Sequence, residues 1–231
     1  MRRRGKGFFD IFLTVLLGIF IVGILCALGY LIYKFYDAYK INEDTNEYLN
    51  DKFDTYINDI ANNQNVNEVN QNTEVNNTEV NEIQPTNVVR GIDTNALNYR
   101  GYKVEGKLEM PSVNLNYPVL EQMKNANELE VSLAIQYGVG LNKTGNTVIV
   151  GHNYKSGLFF GSNKKMQIGD VIYITDSETG KRIAYQIYNK YTTEESDTSY
   201  YNRNTDGKKE VTLVTCQTNN NYRLVIWAKE M

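Results

Sequence analysis

The chain has 231 residues, 42% of them apolar and 22% charged, with a formal net charge of −3. These values exclude a collagen-like fibre and a chain that is disordered throughout. Two cysteines exclude a disulfide-stapled scaffold, and a single histidine excludes a multi-histidine metal centre.

The charge is unevenly spread. Arg2, Arg3, Arg4 and Lys6 precede a run from Ile11 to Tyr33 with no charged residue. As a helix that run is roughly 34 Å long, enough to cross a hydrocarbon core of ~30 Å with some tilt. The expectation is a single-pass anchor over 11–33, with basic residues 1–10 in the cytoplasm and the remainder outside. A cleaved signal peptide is the competing reading, with Ala27-Leu28-Gly29 as its cleavage site. The length of the apolar run favours the anchor. Cys26 is then a small apolar residue within the span.

Residues 41–85 carry ten acids and one lysine and are crowded with asparagine. Tyr48, Leu49, Phe53, Tyr56, Ile57 and Ile60 have helical spacing, so 34–60 reads as an amphipathic juxtamembrane helix. Residues 61–85 bury too little apolar surface to offset the entropy of ordering, and read as a disordered tether. Residues 86–231 carry seventeen basic and fifteen acidic residues and are long enough for one domain. They contain no basic stripe, RNA motif or glycine-rich phosphate loop, so no nucleic-acid partner is expected.

Within this domain, β-branched and aromatic runs alternate with turn residues. Strands are expected at 104–110, 117–120, 146–150, 170–175, 181–190, 210–215 and 222–229, and an amphipathic helix at 125–136, where Leu129, Leu133 and Ala134 share a face. Strands this short and numerous predict an all-β fold, a closed or nearly closed antiparallel barrel.

Three residues stand out chemically. Cys216 is the only cysteine beyond the apolar run, and it ends a predicted strand among Thr212, Thr215, Gln217 and Thr218. His152, the sole histidine, also ends a strand, after Gly151. Arg223 begins the last strand, which returns beside Cys216. A thiol is only a few per cent ionised at neutral pH. An imidazole beside it can accept its proton and later protonate a leaving amine. A fixed guanidinium can stabilise an oxyanion. A non-catalytic reading would leave Cys216 as a packing residue in a barrel that only binds a surface partner.

Together these residues resemble the sortase family, the membrane-anchored transpeptidases of Gram-positive surfaces. The resemblance rests on Thr212-Leu213-Val214-Thr215-Cys216 at a strand end, on Gly151-His152 after a strand, and on Arg223 at the start of the following strand. It covers roughly Lys103 to the C-terminus and implies an eight-stranded barrel. It also implies catalytic roles for Cys216, His152 and Arg223, with Thr215 and Asn153 near the substrate. The implied reaction cleaves the Thr–Gly bond of a Leu-Pro-x-Thr-Gly-like signal near the C-terminus of a surface protein. A cell-wall amine then takes the acyl group, and no organic cofactor takes part.

A cysteine hydrolase of the same fold, in which water ends the reaction, is the enzymatic alternative. The stretch 151–160 looks like the histidine region of class B sortases, while the short interval to Cys216 lacks that class's usual helical insert, so the subclass stays open. Some family members bind calcium at a barrel loop, and Glu194, Glu195 and Asp197 offer an acidic loop here. The segments 126–137 and 190–207 are the expected walls of the substrate pocket.

Overall fold

The computed structural model describes residues 7–71, 97–218 and 221–231. Most of the expected tether and the basic N-terminus lie outside these residues. The chain forms two compact units, one ending at Glu43 and one running Asp44–Met231. The first is the apolar part of helix α1 (Phe8–Glu47), whose large side chains are exposed on every face. It is long and apolar enough to cross a membrane.

In the second unit, a π-helical turn (Tyr48–Phe53) leads into helix α2 (Asp54–Gln71), so helix continues into the stretch read as tether. The unit begins at Asp44, well ahead of the expected boundary at residue 86, because Tyr48, Leu49 and Phe53 are buried against Leu97, Tyr99, Val104, Leu120 and Ala134. Polar contacts fasten the same segment. Thr45 and Tyr99 share a buried hydrogen bond of 3.0 Å, and Lys107 pairs with Asp54 at 2.5 Å.

Nine strands follow: β1 (Asn98–Tyr99), β2 (Tyr102–Met110), β3 (Leu115–Gln122), β4 (Leu133–Gly138), β5 (Gly145–Val150), β6 (Val171–Asp176), β7 (Arg182–Glu194), β8 (Lys209–Cys216) and β9 (Tyr222–Glu230). Their spatial order is β1-β2-β3-β4-β5-β8-β9-β7-β6, and β6 pairs back onto β2. That pairing closes an eight-stranded barrel and leaves the two-residue β1 as an appendage. The expected closure is present, but the sheet is mixed. The pairs β3–β4 and β5–β8 are parallel.

The expected helix at 125–136 is corrected. A short 3₁₀ turn (Ala126–Glu130), capped by the Asn125 side chain, gives way to β4. Leu133, Ala134 and Ile135 are all buried, because β4 lies between β3 and β5 with the Leu49–Phe53 segment over one face. A strand covered on both faces loses its alternation and its apolar run can pass for a helix face. The Ser132 hydroxyl donates to the Pro118 carbonyl at 2.6 Å and fixes the entry into β4.

Phe53 is fully buried at the junction of helix and barrel. Phe53→Ala is expected to lower stability by about 3–5 kcal/mol, the usual cost of emptying an aromatic core position. Thermal unfolding of the detergent-solubilised chain checks this. An unchanged melting temperature would mean that the segment contributes nothing to the barrel.

Candidate active site

The register of three adjacent strands builds the site. In the parallel pair β5–β8, Val150 stands opposite Val214, and the Gly151 N–H continues the ladder to the Val214 carbonyl. Two residues further on, Cys216 ends β8 and His152 lies just past the end of β5. In the antiparallel pair β8–β9, Cys216 stands opposite Arg223. His152, Cys216 and Arg223 therefore gather at one end of the barrel. Side chains alternate along a strand, so Cys216 and Arg223 continue the columns Thr212-Val214 and Trp227-Val225 on one face. Val148, Val150, Val214 and Val225 pack there with Tyr200.

Hydrogen bonds hold the ends of the strands together. The Thr215 hydroxyl, buried, donates to the Gly151 carbonyl at 2.7 Å. The Asn153 amide donates to the Cys216 carbonyl at 2.7 Å. Both residues thus tie the cysteine strand to the histidine strand. The loop after His152 folds back, with the Phe160 N–H donating to the His152 carbonyl and Asn153 bridging to Phe159. Phe159 and Phe160 are buried beneath it, and Phe159 packs edge-on against Tyr117.

Gly151 is required by close packing. A Cβ there would stand 2.5 Å from Leu133 Cδ2 and 3.1 Å from Phe160 Cδ2. Leu133 and Phe160 are what approaches it.

Two carboxylates complete the group. Glu130 Oε1 lies 3.1 Å from His152 Nε2, while its Oε2 accepts from the Tyr154 hydroxyl at 2.8 Å. Glu195 is ion-paired with the Arg223 guanidinium. Sequence reasoning misses Glu130, because nothing in the 3₁₀ turn marks a residue that reaches across to another loop. It marks Glu195 only as part of an acidic loop. In that loop both carboxylates already have partners. Glu195 pairs with Arg223, and the Asp197 carboxylate accepts from Thr193 and Ser199, which hold it below the ordinary aspartate range. No group of three or more candidate ligands is assembled among the described residues.

Two cavities meet at His152 and Cys216. The smaller, about 270 Å³, is walled by Met123, Leu129, Tyr200 and Tyr201 and is also lined by Thr215 and Arg223. Both expected wall segments contribute to it. The larger, about 570 Å³, is lined by the 152–165 loop, Gln217 and Thr218.

A buried polar cluster seats the Tyr200–Tyr201 wall. Arg203 pairs with Glu210 at 2.5 Å, both side chains being less than a tenth exposed. It also donates to Asn146 and Thr212 and lies over the Trp227 ring at 4.2 Å. The Asn146 amide in turn donates to the carbonyls of Tyr200 and Tyr201.

Comparison with known proteins agrees with this fold. The sortase domain model matches residues 108–231, more than half of the chain. The chain belongs to the sortase family. It is 30% identical over 115 residues to Sortase A of Bacillus anthracis, covering 49% of this chain and 52% of that protein. It is also 30% identical over 132 residues to Sortase A of Listeria monocytogenes, covering 57% and 55%. The chain thus spans about half the length of the curated relatives it matches. Among solved structures, a lid mutant of Sortase A from Corynebacterium diphtheriae superposes with a TM-score of 0.51 at 26% identity, over 56% of this chain and 71% of that one.

Two substitutions test the framework. Gly151→Ala forces Leu133 and Phe160 aside and is expected to cost roughly 1–3 kcal/mol, the range for overpacking. Arg203→Met strands the buried Glu210 carboxylate and is expected to cost about 3–5 kcal/mol, with much of the loss recovered in the double variant Arg203→Met/Glu210→Gln. Denaturant unfolding measures both. Full stability in Gly151→Ala, or no recovery in the double variant, would contradict the packing described.

Proposed function

We propose that this chain is a membrane-anchored cysteine transpeptidase of a Gram-positive surface. In this reading α1 spans the membrane with the basic N-terminus inside and the barrel outside. The substrate is a surface protein with a Leu-Pro-x-Thr-Gly-like signal near its C-terminus. The observation that carries the reading is the gathering of His152, just past the end of β5, with the paired Cys216 and Arg223 of β8 and β9 around one cavity.

The chemistry follows from that gathering. The Cys216 thiolate attacks the carbonyl carbon of the Thr–Gly bond. Arg223 faces the oxygen on which negative charge develops, where a positioned donor contributes most. Protonated His152 gives its proton to the departing glycine amine, leaving a thioester on Cys216. An incoming amine attacks the same carbon, its proton passes to His152, and the sulfur departs. Glu130 and Tyr154 orient the imidazole. Glu195 holds the guanidinium beside the cavity until substrate arrives. Thr215 and Asn153 act at the substrate's edge by fixing the ends of the two strands. No metal or organic cofactor is assigned a step.

Intact-mass measurement of the detergent-solubilised chain, incubated with Leu-Pro-x-Thr-Gly and Asn-Pro-x-Thr-x peptides, is the test. The expected result is a thioester adduct that an added glycine peptide converts to a new amide. Cys216→Ala should abolish the adduct. Arg223→Gln should slow its formation by about 10²–10³-fold, as loss of an oxyanion donor does. An adduct that only water resolves would favour a hydrolase. An inert thiol, with no adduct from any peptide, would return Cys216 to a packing role in a binding barrel.

A further inference from the structure

The smaller cavity and the helical segment at 48–57 share two side chains. Met123, just past the end of β3, and Leu129, in the 3₁₀ turn before β4, both line that cavity. On one side they pack with Val150, Val214 and Tyr200, which line it too. On the other they pack against the cluster in which Tyr48, Leu49 and Phe53 are buried. The sheet carries the same continuity. Ala134 of that cluster stands opposite Val150 in the antiparallel β4–β5 pair, so the two side chains lie on one face.

The connection that bears Met123 and Leu129 is pinned through its backbone. The Met123 N–H donates to the Ile135 carbonyl at 2.8 Å, and the Ser132 hydroxyl to the Pro118 carbonyl at 2.6 Å. The Met123 and Leu129 side chains are only half-buried, and apolar surfaces on their two sides hold them. The helical surface is firmly seated. The Tyr48 ring lies 4.8 Å from that of Tyr99, and the Lys107 ammonium that pairs with Asp54 also lies over the Phe53 ring. Gly180, in the β6–β7 turn, passes so close that a Cβ there would stand 3.4 Å from Ile60 Cγ2.

We infer that the juxtamembrane helix is coupled to the acyl-donor site, with Tyr48, Leu49 and Phe53 as positioning residues that hold Met123 and Leu129 against the bound signal. The inference rests on the transpeptidase reading and adds that signal binding depends on helix docking. With the helix docked, both wall side chains are ordered before the peptide arrives. With it released, each loses one of its two supporting surfaces, and the peptide must order them as it binds. The peptide therefore prefers the docked form. By linkage, docking and binding favour each other by one and the same factor.

Acylation of the full chain in detergent, with Leu-Pro-Ala-Thr-Gly as donor and triglycine as acceptor, is read together with hydrogen exchange. Leu49→Asp puts a charge into the apolar cluster and releases the helix. It is expected to raise the donor KM about tenfold, within the usual range of coupling between sites, and to leave kcat within about twofold. Exchange over 123–131 should quicken. Asp54→Lys, a milder release, should raise KM roughly threefold, and the swap Asp54→Lys/Lys107→Asp should restore it. On the chain carrying Cys216→Ala, the same peptide should slow exchange over 48–57. An unchanged KM in Leu49→Asp, or a fall in kcat at constant KM, overturns the inference and leaves the helix a stabilising element only. Should Leu49→Asp not fold, an unchanged KM in Asp54→Lys overturns it equally. If no peptide acylates the unmodified chain, the transpeptidase reading fails on its own account. Exchange over 123–131 then still decides the coupling of helix to wall, and unchanged exchange in the released variants overturns it.

Discussion

Strand register is the constraint on which the rest depends. An antiparallel pairing of β8 with β9 sets Cys216 opposite Arg223, and a parallel pairing of β5 with β8 ends just before His152, so that all three line one cavity. A slip of one residue in either ladder would turn the affected side chain to the opposite face. The buried hydrogen bond from Thr215 to the Gly151 carbonyl and that from Asn153 to the Cys216 carbonyl both resist such a slip. Each lies within two residues of His152 or Cys216, so the bonds that set the register also set the candidate site.

Second to register comes the seating of the two walls. The Tyr200–Tyr201 wall belongs to a long connection that Asn146, Tyr137 and Arg203 fasten to the barrel. The Arg203 guanidinium joins Glu210, Asn146, Thr212 and the Trp227 face in one buried cluster. The opposite wall is fixed by apolar anchors, Phe159 and Phe160, and by Lys190, which donates to the carbonyls of Lys164 and Met166. One wall is thus polar at its root and aromatic at its surface, and the other is the reverse.

Much of the architecture is legible in the sequence. Strand ends can be placed because β-branched runs stop at glycine, asparagine and polar turns, and these signals alone put Cys216, His152 and Arg223 at strand ends. β4 is not legible, because burial on both faces erases the alternation that marks a strand. Nor is the attachment of 44–60 to the barrel, since helical periodicity reports an apolar face and not what covers it. Glu130 is hidden for a related reason. Its importance comes from a contact across 22 positions of sequence, and a single chain carries no signal for that.

The order of pairing in the barrel has a kinetic consequence. β5 and β8 are neighbours in space, yet some sixty residues separate them along the chain, and β2 must wait for β6 before the barrel closes. Such non-local pairings form late, because the entropy of closing the loop precedes any reward from the contacts. The local hairpins β6–β7 and β8–β9 can form early, and the second already sets Cys216 beside Arg223. The histidine joins only when the distant parallel ladder docks. A chain with only that hairpin formed therefore carries Cys216 beside Arg223 but apart from His152, and the three residues meet only when the last strands have found each other.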